Sequence, residues 1–524
     1  MDGKGNIDNS LSLSFDEFKE LVFKNFEKGK SLVIPLFKEV VADTETPLTI
    51  FMKIYSPEKF NFLLESVEQK ENIGRYSFIG SSDEVYIRGK EDFIEIYNKG
   101  SIQYKETRDP LNEIKDFIER YKGISYEGLP PFWGGLIGYL SYNIIYMYEP
   151  IHSDKPDNWQ LPEFYFFLSN DLIAFDNLSR TIKIISSVKI TDEIFEKSKE
   201  DESCLKLMYK MTTEKINNIE KKLCKPLKLE RQITIKDVLN INLQKWNANV
   251  KKEHFINSVE RAKRYIEEGD IIQVVLSQRF CKITSAKPVD IYRAMRIINP
   301  SPYMFYLDFK DIKLIGSSPE ILVSVKNRKI LTKPIAGTRP IGKTEEENKK
   351  LKEDLLSDEK EKAEHLMLVD LARNDVGKVA KTGTVKVDRF MYIENYSHVM
   401  HIVSDVSGEL KEDLHPIDVL KAVFPVGTVS GAPKVRAMQI IEELETERRG
   451  PYAGAVGYIS FDGNLDTAIA IRTAVMKENK IFVQAGAGIV ADSIPEREYD
   501  ETVNKAKALI KAVEIAEKAK EIDC

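Results

Sequence analysis

The run Glu361-Lys362-Ala363-Glu364-His365-Leu366-Met367-Leu368-Val369-Asp370-Leu371-Ala372-Arg373-Asn374-Asp375 constrains the fold more than any other segment of this chain. It has no glycine or proline, is rich in strong helix formers and repeats its apolar residues at helical spacing, so it predicts a helix. The face through Glu361 and Glu364 continues through Leu368 and Leu371, which points two carboxylates along the side that meets the core. An apolar face rarely accepts carboxylates without a cation or donors beside them. A second Glu-x-x-Glu, Glu498 and Glu501, follows the glycine-rich turn Ala485-Gly486-Ala487-Gly488. The two pairs together suit one oxygen-rich pocket for a hard cation such as Mg²⁺. Spacing alone favours the plainer alternative, in which Lys360-Glu361-Lys362 is a solvated charge run and each pair is surface decoration.

At 524 residues the chain is too long for one compact core, and two or three domains are expected. A net charge of −6, with lysines scattered among glutamates, offers no surface for nucleic acid or an acidic membrane. The cysteines Cys204, Cys224, Cys281 and Cys524 show no CxxC spacing and fit a reducing compartment without disulfides or a thiolate metal site. The first residues, Met1 to Asn6, lack the apolar run of a signal peptide. The longest apolar stretch, Phe132 to Tyr148, is broken by glycines and polar residues, so no membrane span and a cytoplasmic location are expected.

Three segments follow from the patterning. Residues 15–190 combine a helix from Phe15 to Lys28, a helix from Asn112 to Tyr121 and several antiparallel strand patterns. Among the latter, Ile50, Met52 and Ile54 alternate with Thr49, Phe51 and Lys53, as in a half-buried strand. Residues 191–249 form a charged amphipathic helix, Ser203 to Leu223, and a polar connector. Residues 250–520 open with a helix whose inner face is Phe255, Val259, Ala262 and Ile266, stopped by Gly269-Asp270. Strand patterns follow at Ile271–Arg279, Tyr303–Leu307, Ile321–Val325, Val399–Val406, Gly454–Ile459, Thr467–Val475 and Ile481–Ala485, with helices at Glu345–Asn374, Lys434–Glu443 and Glu496–Lys520. Strand runs interleave irregularly with helices, which predicts the α+β class and not a doubly wound fold.

Several residues stand out chemically. Ser493-Ile494-Pro495-Glu496 reads as a helix start, with Ser493 as N-cap and Glu496 closing the capping box. Gly486-Ala487-Gly488 before it either exposes backbone N–H groups to an anionic ligand or is a tight strand exit. His398 and His401 lie three apart in a strand pattern and so face opposite ways, which argues against a chelate. His401 shares a face with Val399 and Val403 and is either a satisfied core histidine or a general acid or base. Pro334 to Pro340 reads as a rigid loop around Gly337. Gly427 to Lys434 opens a helix without the Gly-Lys-Ser/Thr ending of a Walker A loop. Arg472 lies on an otherwise apolar strand and wants a carboxylate, the protein's own or a ligand's.

Taken together, these motifs resemble the large-subunit (component I) family of anthranilate synthases, within the chorismate-utilising enzymes. The matching stretches are Gly269 to Arg279, Gly316-Ser317-Ser318-Pro319-Glu320, Pro334 to Pro340, Glu364 to Asp375, Gly427 to Lys434, Asp466 to Thr473 and Gly486 to Glu501. In the first segment, Leu63-Leu64-Glu65-Ser66 and Gly74 to Gly80 match as well. Ile341 stands where members usually have arginine, and no role is assigned to it. The resemblance implies large antiparallel sheets packed face to face with helices outside, an N-terminal regulatory domain and a C-terminal chorismate-binding domain. It implies that Glu364 and Glu501 bind Mg²⁺, with Glu361 and Glu498 beside them, partly through water. Gly337, Thr338, Gly486 and Gly488 then contact the ring carboxylate through the backbone, with Ala487 in the same substrate-binding set and Thr428, grouped with the catalytic residues, giving a hydroxyl. Tyr452 and Arg472 grip the enolpyruvyl carboxylate, Glu320 protonates the departing hydroxyl and His401 assists the later proton removal. Ser66 with Pro302, Tyr303 and Met304 forms an inhibitory tryptophan site.

The implied reaction adds ammonia to chorismate as hydroxide leaves, giving 2-amino-2-deoxyisochorismate, and then eliminates pyruvate to give anthranilate. No cysteine sits in a Gly-x-Cys-x-Gly elbow, so the resemblance implies a separate glutamine amidotransferase subunit (component II), in a heterotetramer of two large and two small subunits. Of the rival relatives, aminodeoxychorismate synthases resemble this pattern with a lysine where this chain has Ala336, which is no nucleophile. Isochorismate and salicylate synthases use water, and Leu63-Leu64-Glu65-Ser66 argues against them. The non-enzymatic rival is an inactive relative that only binds tryptophan and the partner.

Overall fold

The computed structural model describes residues 11–66, 74–82, 85–98, 100–229, 231–234, 246–396 and 399–521. His398, Cys524 and the first ten residues lie outside them. Two large sheets, of thirteen and twelve strands, make the frame. The elements that carry the site are β1 (Phe60–Glu65), β2 (Gln273–Ile283), β3 (Tyr303–Asp308), β4 (Ile335–Pro340), β5 (Val399–Glu409), β6 (Leu465–Ile469), β7 (Thr473–Lys477) and β8 (Lys480–Ile489). The helices are α1 (Glu345–Ser357), α2 (Glu359–Val379), α3 (Lys434–Leu444) and α4 (Pro495–Lys518).

In the thirteen-stranded sheet, β2, β8, β7, Ile312–Ser318, β3 and β1 follow one another, and the sheet continues through Tyr76–Ser82, Asp171–Asp176, Thr181–Ile190 and Ser31–Val41. In the twelve-stranded sheet, β4, β5, Lys329–Thr332, Ile321–Lys326, β6 and Ala455–Ser460 lead to Gly135–Leu140, Phe164–Ser169 and the edge strand Ser101–Glu106. Each sheet therefore draws strands from both sides of residue 249. The architecture is α+β, and the sheets face each other across a core rich in aromatic rings. Phe60 of one sheet stacks on Phe167 of the other at 5.2 Å, and Phe309, 1% exposed, lies 4.6 Å from Tyr165. Such pairs add offset-stacking energy to the area they remove from water. Among the described residues, no helix is long and apolar enough to cross a membrane.

Six local expectations change. The alternating Ile50, Met52 and Ile54 belong to a helix, Pro47–Ile54, and not to a strand. Thr46 accepts from the Thr49 N–H at 3.2 Å, Pro47 sits in the first turn, and Ile50 and Phe51 fall together on the buried face. The single helix expected over Glu345–Asn374 is two, because Asp358 turns to ψ 106° and caps α2, accepting from the N–H groups of Lys360 and Glu361. The single strand expected over Thr467–Val475 is β6 and β7, parted at Arg472, whose φ is +49°. The glycine run 485–488 is no turn; it lies inside β8, with Gly486 opposite Ser277 and Gly488 opposite Val275. Pro334 to Pro340 is no loop; Ile335 to Pro340 is strand β4, paired to β5 with a bulge between Ala336 and Thr338. Finally, Ser493 does not cap α4: Ile494 is the cap residue, and the Ser493 hydroxyl accepts from the Val490 N–H at 3.1 Å.

Candidate active site

Glu320 precedes the strand Ile321–Lys326 and is 9% exposed. Its Oε1 accepts a hydrogen bond from the Thr428 hydroxyl at 2.7 Å, and its backbone carbonyl accepts from the Ile469 N–H of β6. Burial pushes its carboxyl up to about 7, with the Thr428 hydrogen bond and the charge of Lys505 pulling the other way. Near neutrality this carboxyl carries a proton for much of the time, which is what a general acid needs. Thr428 is held by a short turn, Gly427–Val429, in which Gly427 lies against Leu368 and Leu371 of α2. The apolar face read from the sequence of α2 is thus what seats Thr428.

His401 stands on β5, with Nδ1 2.8 Å from the Gly337 carbonyl and 3.1 Å from the Thr338 hydroxyl. A carbonyl only accepts, so Nδ1 carries the proton and Nε2 keeps a lone pair. Burial lowers the histidine's pKa, and the charges of Arg472 and Lys505 act in the same direction. The ring therefore favours its neutral form, with Nδ1 protonated. Gly337 adopts φ +66° in the bulge of β4, and a Cβ there would meet the Glu361 carboxylate at 3.1 Å.

The four glutamates sit near the N-termini of α2 and α4, which an ion pair between Lys360 and Asp492 ties together at 3.4 Å. Glu361 meets Arg339 at 3.4 Å, and Glu501 meets Lys505 at 2.7 Å. Burial raises the pKa of Glu364, and Glu361, Asp358 and Asp492 raise it further. Burial likewise raises Glu498, with Glu501 adding to it. For these two carboxylates, burial and nearby like charge outweigh the cations around them. Among the described residues, no three carboxylate, imidazole or thiolate groups converge on one point fit for a metal ion.

Arg472 projects from the junction of β6 and β7 into an open cleft of about 520 Å³, lined also by Arg497, Asp500, Glu501, Asn504, Lys505 and Ala508. The only hydrogen bond it makes through its side chain among the described residues is to Asn299 Oδ1, at 3.5 Å. Burial lowers its pKa with no carboxylate opposing that effect. Lys505 donates to the Gly486 carbonyl at 3.0 Å. In an antiparallel strand a residue's N–H and C=O point the same way, so the N–H groups of Gly486 and Gly488 face that open edge while Ala487 faces β2. The hydroxyl of Tyr452, a residue 8% exposed, lies 2.6 Å from where a Cβ on Gly486 would stand, so only glycine fits there. Lys505 was not singled out in the sequence. Its place four residues after Glu501, on the same helical face, is the signal that could have found it.

The chorismate binding enzyme family pattern matches residues 59–511. A curated relative, anthranilate synthase component 1 of Aquifex aeolicus, is 54% identical over 98% of this chain and 100% of its own length. The chain belongs to the chorismate binding enzyme family. Among solved structures, that of anthranilate synthase component I from Streptococcus pneumoniae is similar at a TM-score of 0.69 and 38% identity, covering 90% of this chain and 99% of that one. A menaquinone-specific isochorismate synthase from Escherichia coli shares the fold at a TM-score of 0.66 and 19% identity, over 95% of this chain and 98% of that one.

A second cluster of this family member lies where β1 and β3 pair, with Met304 opposite Glu65. Ser66 and the Pro302-Tyr303-Met304 segment are thereby brought together across adjacent strands. Glu65 accepts from the Tyr292 hydroxyl at 2.8 Å and from Arg296 at 2.7 Å. Ser66 Oγ, Arg296 Nε and Asn299 Nδ2 are buried with no hydrogen-bond partner among the described residues. Unsatisfied buried donors of this kind are costly and call for a polar partner.

The Glu320 carboxyl is expected to titrate near 7 in a difference infrared spectrum taken against Glu320→Gln. Thr428→Val should move that midpoint upward, because the donated hydrogen bond favours the carboxylate. A midpoint at the ordinary glutamate value would refute the assignment.

Proposed function

We propose that this chain is the large subunit of an anthranilate synthase, converting chorismate and ammonia to anthranilate and pyruvate through 2-amino-2-deoxyisochorismate. The observation that carries the reading is Glu320: a buried carboxyl held near 7, anchored by Thr428 and within reach of the Lys505 charge. Such a group delivers a proton to a departing ring hydroxyl. Arg472, without a carboxylate of the protein's own, and Tyr452 bind the enolpyruvyl carboxylate, while Lys505 and the N–H groups of Gly486 and Gly488 face the ring carboxylate. Gly337 and Thr338 orient His401, whose Nε2 takes the proton lost as pyruvate leaves. Kinship at 54% identity with a component 1 supports the same reading, as does Ala336 in place of a nucleophilic lysine.

The donor set suits a hard cation in its chemistry: four carboxylates near the starts of two helices, two of them raised by burial and then by like charge. Glu361, Glu364, Glu498 and Glu501 would hold Mg²⁺ there. Bound at this place, the ion would neutralise the ring carboxylate and polarise it. A partner glutaminase, component II, supplies the ammonia in a heterotetramer, since no cysteine here sits in a nucleophile elbow. The location is cytoplasmic. The unsatisfied Ser66, Arg296 and Asn299 atoms bind the polar end of tryptophan, and Leu63, Leu64 and Met304 supply apolar surface beside them.

The purified chain with chorismate, Mg²⁺ and an ammonium salt should form fluorescent anthranilate, and should form none with glutamine. Release of isochorismate or aminodeoxychorismate would decide for a rival, and no turnover for the inactive relative. Glutamine-dependent product from this chain alone would show a glutaminase overlooked.

Glu364→Gln and Glu501→Gln should each abolish turnover with the circular dichroism unchanged, because an amide is a poorer Mg²⁺ ligand than a carboxylate. Parental activity with unchanged Mg²⁺ dependence in either variant would remove the metal assignment. Ser66→Phe should fill the inhibitor pocket and relieve tryptophan inhibition while uninhibited activity stays near the parent's. Equal inhibition of parent and variant would place the inhibitor elsewhere.

A further inference from the structure

We infer that Arg449, which lies behind the site and hydrogen-bonds none of the side chains assigned to substrate, is the positioning residue that sets Thr428 and Tyr452 against the glycine strand β8. Its side chain is 1% exposed. Nε and Nη2 grip both oxygens of Glu445, at 2.9 and 2.6 Å, in a bidentate pair. The remaining donors go to backbone: Nη1 to the Val429 carbonyl at 2.8 Å and Nη2 to the Val275 carbonyl at 2.6 Å. Val429 is the residue after Thr428, and Val275 of β2 stands opposite Gly488. The guanidinium also lies 5.7 Å from the centre of the Tyr452 ring and 4.6 Å from that of Tyr142.

Glu445 extends the same bracing. Its Oε1 accepts from the N–H and the hydroxyl of Ser277, both at 2.8 Å, and Ser277 stands opposite Gly486. One guanidinium therefore fixes the turn that holds Thr428, the strand that backs Gly486 and Gly488, and the ring whose hydroxyl abuts Gly486. A buried ion pair seldom repays its desolvation as stability, which leaves geometry as its use. Lysine keeps the charge but has no planar fork, so it cannot hold the carboxylate and two carbonyls at once.

The inference rests on the anthranilate synthase reading for its activity assay alone. In Arg449→Lys, the Thr428 hydroxyl should drift from Glu320, so the Glu320 infrared midpoint should rise as it does in Thr428→Val. The double variant should rise no further than Thr428→Val alone. Anthranilate formation should fall about a hundredfold in kcat/KM. A folded Arg449→Lys with the parental Glu320 midpoint would overturn the inference, whatever its activity. If Arg449→Lys does not fold, Glu445→Gln, which loosens the same fork at constant volume, should shift the midpoint in the same direction; a parental midpoint there would overturn the inference equally. A parent inactive on chorismate would instead remove the functional reading and leave the infrared result standing.

Discussion

The site exists because the chain changes sheets at Arg472. β6 belongs to the twelve-stranded sheet and β7 to the thirteen-stranded one, with only Ala470, Ile471 and Arg472 between them. So short a passage demands a sharp backbone reversal, and Arg472 supplies it in a left-handed conformation that arginine rarely adopts. The Arg472 carbonyl is fixed by the Ser317 N–H at 3.1 Å, and that anchorage keeps the strained residue in place. The same reversal frees the far half of β8, since β7 pairs only with its residues up to Val483. The open edge of Gly486 and Gly488 and the position of the arginine are two results of one crossover.

Around that crossover the charges are unbalanced in two directions. Burial lowers His401, and the charges of Arg472 and Lys505 add to it; Lys505 pairs with Glu501, and Arg472 has no carboxylate partner among the described residues. On the helix side, burial raises Glu364 and Glu498, and neighbouring carboxylates raise each of them further. A folded chain tolerates half-buried charges of this kind only when a ligand or ion completes them, because desolvation otherwise outweighs the attraction of distant partners. The anionic ligand and the cation of the proposed function each answer one side of this imbalance. Glu320 differs from both: burial raises it to about 7, so it escapes part of the penalty by taking up a proton near neutrality.

Much of this was legible in the residues themselves. The apolar face of α2, the strand patterns of both sheets and the α+β class follow from periodicity; His401 and Arg472 stand out as polar residues in strand patterns, whereas Glu320 and Thr428 enter through the family resemblance alone. What failed did so for physical reasons. Residues 49–54 alternate in polarity over a span too short to separate a strand from a helix, and the capping by Thr46 decided it. Thr467–Val475 reads as one strand because no glycine or proline marks the break at Arg472. Asp358 looks like part of a continuous helix until its side chain is seen to cap the next one. A single basic residue on a helix or in a loop carries no periodic signal, and Lys505 and Arg449 each donate to backbone carbonyls, 19 and 174 residues away.

Asn299 joins the two clusters more tightly than sheet packing alone requires. Its Oδ1 contacts Arg472, its carbonyl accepts from the Ser317 hydroxyl, and its Nδ2 is one of the buried donors with no partner among the described residues. Four residues on, Tyr303 hydrogen-bonds Asp466 of β6, a buried carboxyl pushed up to about 7 whose Oδ1 has no partner among the described residues. Both links run into the strand-and-crossover segment that carries Arg472. A group that satisfies the Asn299 amide must fix its rotamer, and that rotamer is what sets the distance from Oδ1 to the guanidinium. Because the amide turns only as a unit, its Nδ2 and its contact with the arginine share one rotamer.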